Sequence, residues 1–418
     1  MESIQTQEIN LMNTKLRNTG IVTETKQTKK ISFEGKADIL KVYKIRLDQL
    51  YYNDKNDRIA TYVNKYQIEH GIDRFDFSDL KKYNKIIEEG IRQSNPSEYE
   101  NTKQNIKVNG QQEPGIVLKD GRVIDGNRRF TCLRDLSEES ETYNYFYAVI
   151  LDRNYDDSEK SIKLLELWFQ QGLEPRVDYG PIERLVGVYR DIEKNHLLTV
   201  KEYANITSTK LSTVKKNLEI AKLMVEFLEF IKCPEQFYIA KELSLDGPIR
   251  ELNLILKRYK DDKIKQNKVK FTGFTYIFMP SKKDKTRLIR GMKEIVESDL
   301  FENEFLPEVQ DIGIEIVDKI NSEKKSNKLP TTEIINKVKS DVELKTTLDK
   351  SYQKADQKTK IANLKSKPME LLDDALKNID GLDKLILGRL KAEQKKEIAK
   401  SCNAIQAKLS EIMQIVND

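Results

Sequence analysis

The segment from Gly115 to Leu136 constrains this chain more than any other. GIVLKDGRVIDG sets two short apolar runs around Asp120-Gly121, a strong hairpin signal. The second run ends at Asp125-Gly126, and the residues from Phe130 to Leu136 have the spacing of a helix. Elements of the same kind lie on either side. ILKVYKIRL, from Ile39, alternates apolar and polar positions like a half-buried strand, and YNYFYAVIL (143–151) is aromatic, β-branched and strand-like. Between Asp57 and Glu100 the apolar residues recur at helical spacing: Ile59, Tyr62, Val63 and Tyr66, then Tyr83, Ile86, Ile87 and Ile91. Gly71 and Ser94-Asn95-Pro96-Ser97 punctuate that stretch. Residues 39–150 therefore read as an α+β domain, preceded by a flexible polar arm, 1–38, with a basic cluster at Lys26, Lys29 and Lys30.

The rest of the chain reads as helical. Ile162–Gln171 is an apolar-faced helix ended by Gly172, and Pro181–Lys194 is another with proline near its start. Residues 199–232 hold two or three more, so 151–235 forms an all-α domain. The region 236–330 is mixed and mostly helical, with helices expected at 248–260 and 284–299 and a strand-like run, FTGFTYIFM, at 271–279. Residues 321–365 are rich in Lys, Ser, Thr and Asn and read largely as linker; the last fifty residues are strongly helical, so 331–418 is taken as linker plus helical module.

Composition limits the function classes. With 73 Lys+Arg against 68 Asp+Glu the net charge is only +5, so a nucleic-acid site must come from local clustering. Charged residues make up 34% and apolar ones 38%, a surface-rich chain. The three cysteines, Cys132, Cys233 and Cys402, are too far apart for a metal knuckle or a disulfide framework. With only His70 and His196, a multi-histidine zinc site is nearly excluded. No run approaches a membrane span, and MESIQTQEIN lacks a signal-peptide apolar stretch, so a cytoplasmic protein with no membrane partner is expected.

Gly110-Gln111-Gln112-Glu113-Pro114, then Asp125-Gly126-Asn127-Arg128-Arg129, carry the chemistry. A strand that ends in a glycine turn and opens a helix presents bare backbone N–H groups at the helix N-terminus, a geometry that favours an anion. Arg128 and Arg129 add bidentate phosphate donors. Two arginines there oppose the helix macrodipole, which a bound anion explains more easily than helix stability does. A hairpin followed by a surface helix with incidental arginines is the alternative.

These two boxes, in this order, resemble the paired signature of the ParB/sulfiredoxin superfamily, Gly-Gln-x-x-Pro before Gly-Glu-Arg-Arg-x-x-Ala. YYNDKNDRIA (51–60) resembles the same family's Asn-Pro-x-x-x-Arg turn, with Arg58 at the nucleotide-facing arginine. The resemblance covers about 39–240, with a helical insertion at roughly 60–100. It implies a ParB-like α+β domain that binds a nucleoside triphosphate, most typically CTP, followed by an all-α helix-turn-helix domain that binds DNA. It carries nucleotide binding onto Arg58, Gly110, Gln111, Pro114, Gly126, Asn127, Arg128 and Arg129. Sulfiredoxins have Cys directly after the box glycine; here Asn127 stands there, and Cys132 lies five residues on, which disfavours a reductase. ParB CTPases have Glu at that position, and Asn127 can act neither as a base nor as a charged magnesium ligand, so hydrolysis is expected to be slow or absent. The family's Glu-Asn metal pair is at best Glu166-Leu167, which leaves Glu166 as the candidate for nucleotide-bound Mg2+. ParB-like small-molecule kinases have Asp-Gly-His-x-Arg, partly echoed by Asp125-Gly126. Asp125 and Glu166 are thus the candidate catalytic groups, although an Asp before a turn Gly is often only a turn former.

VKEYANITSTKLSTVKKNLEIAKLM (200–224) has two helical halves around a polar turn, Thr207–Lys210. Ala204 and Val214, with Leu218 and Leu223 continuing the buried side, have the core spacing of a helix-turn-helix, and Ser208 replaces the usual turn glycine. The exposed side of the second helix offers Lys210, Ser212, Thr213, Lys215, Lys216 and Asn217 to phosphates and base edges. A plain helical hairpin with a solvated lysine face has the same pattern, but in ParB-like proteins a helix-turn-helix follows the arginine box at about this distance.

Elsewhere, KRYKDDKIKQNKVK (257–270) and KKDKTRLIR (282–290) flank the aromatic run 271–279, as a nucleic-acid surface would, or as a solvated charge run would. Trp168 and Phe169 read as core. Ile398, Cys402, Ile405, Leu409, Ile412 and Val416 form a short heptad seam, with Leu382, Leu385, Ile386 and Leu390 as a second helix; self-association, most simply a homodimer, is expected.

The favoured reading is a DNA-binding protein of plasmid or chromosome partition or nucleoid-associated regulation, in a bacterial cytoplasm, with a Walker-type partition ATPase as a possible partner. A ParB-like nuclease or phosphotransferase would use the same pocket differently. A defence-associated regulator could retain the pocket only to sense a nucleotide, a reading that the unmatched region 236–330 keeps open.

Overall fold

The computed structural model describes residues 10–33, 36–151, 159–169, 180–280, 284–326 and 329–417. They form an N-terminal sheet region followed by a mostly helical remainder. The chain divides into two compact units, Met1–Tyr352 and Gln353–Asp418.

In the first unit a short helix, α1 (Thr14–Asn18), precedes two long strands, β1 (Val22–Phe33) and β2 (Lys36–Arg46). β3 (Tyr51–Tyr52) leads through a 3-10 turn, Asp57–Ile59, into three helices: α2 (Ala60–His70), α3 (Leu80–Ser94) and α4 (Pro96–Asn109). The predicted hairpin is β4 (Gly115–Leu118) and β5 (Arg122–Asp125); α5 (Asn127–Ser137) and β6 (Tyr145–Leu151) complete the region. The six strands lie in the order β1-β2-β6-β4-β5-β3. β4 is antiparallel to β5 and parallel to β6, and β3 is parallel to β5.

The alternation of side chains sorts this sheet into two cores. One face carries Ile45, Val117, Val123, Phe146 and Ala148, and packs with Phe130, Cys132, Leu133 and Leu136 of α5 and with Tyr83, Ile87 and Ile91 of α3. The other carries Ile31, Val42, Ile116, Leu118, Ile124 and Val149, and is covered by Phe169, with Trp168 beside it. Phe169 is a core residue, as read from the sequence, whereas Trp168 is half-buried against that core.

The helical part of the first unit begins with α6 (Glu159–Leu167) and α7 (Pro181–Val188), which runs on into a π-helical turn, Tyr189–Lys194. α8 (Val200–Ile206) and α9 (Leu211–Phe230) follow, then α10 (Phe237–Glu242), α11 (Asp246–Leu256), α12 (Lys263–Phe278), α13 (Lys285–Glu297), α14 (Leu306–Ser326) and α15 (Thr331–Lys339). α16 spans Val342–Asp380, and the second unit continues with α17 (Lys384–Arg389) and α18 (Ala392–Asn417). No helix among the described residues is long and apolar enough to cross a membrane.

Three expectations differ from this structure. Residues 22–33, assigned to a polar arm, form an edge strand paired with β2 from Val22↔Ile45 to Phe33↔Lys36. Only Val22 and Ile31 of its described side chains are buried, so its apolar pattern is too sparse to read. The run 271–279, expected as a strand, lies in α12 and at its end, with Phe274, Tyr276, Ile277 and Phe278 all buried. A helix enclosed on all sides loses its amphipathic signature, and a short aromatic run then mimics a strand. Residues 321–365, taken largely as linker, hold the end of α14, all of α15 and the start of α16; Ile334, Ile335, Val338, Leu344, Leu348 and Tyr352 are buried at helical spacing. The predicted helix end at Gly172 lies outside the described residues.

At Gly115 the backbone passes so close to its neighbours that an added Cβ would lie 2.3 Å from Phe146 Cζ and 2.8 Å from the Asp125 carbonyl oxygen. Because one obstacle is a ring fixed in the core and the other is backbone, neither can swing aside. Gly115→Ala is expected to cost roughly 1–3 kcal/mol by overpacking, read as a lower urea midpoint at unchanged slope.

Candidate functional site

Strand direction brings the predicted segments together. β3 and β5 are parallel neighbours, Tyr51↔Arg122 and Tyr52↔Val123, so the chain leaves both at the same end of the sheet: one into Asn53–Arg58, the other into Gly126–Arg129. β4 runs the opposite way, with Ile116 against Asp125, so Gly110–Pro114 enters at that end too. The Tyr52 ring lies 4.7 Å from that of Phe130, its hydroxyl is 2.8 Å from Thr131 Oγ1, and Thr131 Oγ1 donates to the Asn127 carbonyl at 2.9 Å. Tyr52 thereby fixes the first turn of α5 against the strand that carries the Asn53–Arg58 loop.

Gly126 caps α5 in the left-handed region, φ 95°, with an ideal Cβ only 2.9 Å from Phe146 Cζ. No side chain caps this N-terminus, and its first turn holds no acidic residue. The backbone N–H groups of that turn therefore keep the partial positive charge that an anion would neutralise. Asn127 is 3% exposed; its Nδ2 reaches the Ile124 carbonyl at 3.5 Å, while Oδ1 is buried with no hydrogen-bond partner.

The other box residues fasten this end of the sheet. Gln111 pairs with the Tyr147 backbone in both directions, Nε2 donating to the carbonyl at 2.7 Å and Oε1 accepting from N–H at 2.8 Å, and so extends the β4–β6 pairing by a side chain. Arg129 donates to the Glu113 carbonyl at 2.9 Å and to Asp125 Oδ2 at 3.3 Å. Asp125 is thus engaged by a guanidinium. Lys29 of β1, which sequence reasoning left in the arm, donates to the next carbonyl, Pro114, at 2.6 Å. Arg128 is half-buried in the same first turn. Cys132 is fully buried, its Sγ 3.7 Å from the Tyr99 carbonyl, and burial pushes its thiol up to about 12. No thiolate forms here near neutrality.

Behind Arg58 lies an ionic cluster that the sequence reading found only in part. Asn56 caps the Asp57–Ile59 turn by accepting from the Arg58 N–H at 3.0 Å. Lys163 Nζ lies 2.9 Å from Asp57 Oδ2 and 3.6 Å from both Glu166 Oε2 and Asp191 Oδ2. Glu166 also accepts from Asn53 Nδ2 and from the Asp57 N–H, each at 3.3 Å. Glu166, the candidate magnesium ligand, is therefore already the partner of an ammonium. Among the described residues no group of three or more His, Cys, Asp or Glu is arranged to hold a metal ion. The available signal for Lys163 was a lysine three residues before Glu166 on an apolar-faced helix.

One ammonium cannot balance three buried carboxylates. Burial, reinforced by repulsion from Asp57 and opposed by Lys163, pushes the Glu166 carboxyl up to about 8 and that of Asp191 up to about 7. Both values lie above those of an unfolded chain, about 4, so the folded state holds extra protons and their contribution to stability falls as pH rises from about 4 towards 8. Glu166→Gln is neutral at every pH and should gain on wild type between about pH 5 and pH 8. Urea titrations of both proteins across that range check it; parallel stability curves would contradict the assignment.

In the helical pair, Thr199 starts α8 with a reciprocal capping box, accepting from the Glu202 N–H at 3.2 Å while its own N–H donates to Glu202 Oε2 at 2.7 Å. Ser208 takes the left-handed conformation, φ 50°, in the turn where the sequence lacks glycine. Ala204 and Val214 are buried together with Leu167, Val188, Ile192, Leu198 and Tyr203. Lys210, Ser212, Thr213, Lys215 and Lys216 are exposed. Asn217 is half-buried, and its Oδ1 accepts from Arg250 of α11 at 3.3 Å. Further along α9 the charges are paired: Glu219 with Lys257, Lys222 with Glu193, and Glu226 with Lys270. Lys210, Lys215 and Lys216 form no ion pair among the described residues. The basic run 257–270 is largely consumed in such pairs, with Arg258 on Glu297 and Lys268 on Glu302 as well.

No known protein family matches the chain. No curated protein matches it. Among solved structures it is similar to a Pnob8-like ParB-N domain, with 11% sequence identity over 80% of this chain and 99% of that chain and a TM-score of 0.29, a superposition too loose to establish a shared fold.

Proposed function

We propose that this chain is a double-stranded DNA-binding protein that reads DNA with the N-terminal half of α9 and binds a nucleoside triphosphate, CTP foremost, at the N-terminus of α5. The observation that carries the DNA reading is the division of α9. In its second half Glu219, Lys222 and Glu226 are each ion-paired, whereas its first half presents Lys210, Lys215 and Lys216 with Ser212 and Thr213 to solvent, and these three lysines form no ion pair among the described residues. Lysines left unpaired on a chain of nearly balanced charge are what a phosphate backbone requires. Ser212 and Thr213 are the base-edge candidates, and Asn217, tied to Arg250, joins the two helices instead. The nucleotide reading is supported by the uncapped α5 N-terminus with Arg128 in its first turn, and by the convergence of the Arg58 and Gln111 segments at the same end of the sheet. Partition or nucleoid-associated regulation follows as the setting, with a homodimer through 370–418 and a partition ATPase as partners.

Lys215→Ala should weaken binding to all DNA sequences alike and lower the salt slope by about one phosphate contact. Thr213→Ala should instead cost roughly 1–3 kcal/mol on the preferred site alone. Isotherms on genomic fragments over a salt series check both, and intact protein without salt-sensitive DNA binding overturns the reading.

Arg128→Ala should weaken nucleotide binding by roughly 1.5–3 kcal/mol, the loss of one charge-assisted contact. Calorimetry with the four ribonucleoside triphosphates, with and without DNA, measures it. Turnover should be slow, since Asn127 stands where a carboxylate would be needed.

A further inference from the structure

From Lys360 onward no described side chain of α16 is buried, and none of α17 or α18 is. A helix owes most of its stability to packing an apolar face, and both long helices of the second unit carry one. Ile361, Leu364, Leu376 and Ile379 of α16, and Ile405, Leu409, Ile412 and Val416 of α18, are each at least 40% exposed. The two stripes are equal in length, Ile361 to Ile379 and Ile398 to Val416, about 27 Å each at 1.5 Å per residue. Both are wider than a single seam. Met369 and Leu371 flank the first, Met413 and Ile415 the second, and all four are exposed, so each helix has apolar surface for two neighbours. Charge sets their relative direction. Residues 358–367 hold four lysines and no acid, whereas 370–380 hold four acids and one lysine. On the other helix, 391–400 hold four lysines against two glutamates, and 401–418 hold one lysine against two acids. The basic start of α18 thus complements the acidic end of α16. Laid antiparallel, with Ile398 against Ile379 and Val416 against Ile361, the helices bring Lys396 to Asp380 and Glu411 to Lys367. Laid parallel over the same stripes, they set Lys395 against Lys358 and Glu411 against Asp374.

We infer that the second half of α16 packs antiparallel against α18 of a second copy of this chain, and reciprocally, so that two chains close a four-helix assembly. Within one chain the stripes lie uncovered, and pairing them there would cover only one side of each. Two copies supply the second neighbour that each helix has surface for, through an isologous contact in which α16 meets α18 twice. The inference rests on the homodimer proposed above and gives it its contacts: α18 takes the partner's α16 and not the partner's α18. DNA and nucleotide binding do not enter it.

Full chains are compared by light scattering over a dilution series at low salt. Wild type should have twice the mass of one chain. Lys396→Glu/Glu411→Lys sets like charges at both places in each helix pair, and Lys367→Glu/Asp380→Lys does so from the other helix. Either variant alone should raise the dimer dissociation constant about tenfold or more. Co-expressed under different tags, the two should pair with each other as tightly as wild type, since each α16 then meets an α18 of opposite charge in its partner. A single chain with all four substitutions should also dimerise like wild type. The four positions are exposed, and circular dichroism checks that the helices form; if either variant loses helicity, the co-expressed pair and the four-substitution chain still decide. Lys367→Glu/Asp380→Lys dimerising like wild type overturns the inference in favour of α18 pairing with itself, and leaves the homodimer standing. Co-expressed variants that pair no more tightly than either alone overturn it too, because the two helices then meet within one chain. A wild-type chain that stays monomeric overturns it together with the homodimer, and leaves DNA binding to its own test.

Discussion

The ring of Phe146 sets the geometry of the candidate site. It lies where β6 begins, and two glycines close on it from different segments: Gly115 at the entry to β4 and Gly126 at the exit from β5. With Cβ positions 2.3 and 2.9 Å from the same ring atom, only bare backbone fits at either place. That contact holds the start of β4, the end of β5 and the first turn of α5 at one spot. The Gln111 amide on the Tyr147 backbone and the Arg129 guanidinium on the Glu113 carbonyl then hold the connecting loop in place. A site whose loops are tied by side chains to strand backbone is preorganised, because the ordering cost is met in folding and not at binding.

Two kinds of lysine define the rest of the molecule. Lys163 is enclosed by carboxylates, where its charge is useful only as a structural counter-ion. Lys210, Lys215 and Lys216 stand in water without such company. The net charge of +5 conceals this division, since Lys222, Lys257 and Lys270 around the second half of α9 are each paired with an acid from another element. Locality of charge, and not its total, is what distinguishes one face of α9 from the other.

Much of the sheet region was legible because β2 alternates, β4 and β5 are short apolar runs, and the turn residues between and after them are unambiguous: Asp120-Gly121 for the hairpin, Gly126 for the strand-to-helix junction. The Ala204–Val214 pair was legible because a small residue and a β-branched one at fixed spacing have few other uses. What escaped were elements stabilised by partners distant in sequence. β1 is polar along its length and becomes a strand only because β2 pairs with it. The second half of α12, from Thr272 to Phe278, is buried on every side because other helices enclose it. Asp191 carries no local signature, and Lys163 only its place three residues before Glu166, since a buried charge is intelligible only once its counter-charges are placed.

The Lys163 cluster has a consequence for the order of assembly. Asp57 and Glu166, hydrogen-bonded across it, are 109 residues apart in the chain, so during synthesis Asn53–Arg58 leaves the ribosome long before its counter-charge exists. The sheet can pair first, from β1 to β6, since β6 precedes α6. Asp57 and its loop stay hydrated until α6 and the turn bearing Asp191 arrive to exclude water from all three carboxylates together. The loop that carries Arg58 therefore gains the partners of Asp57 only from segments that follow β6 in the chain.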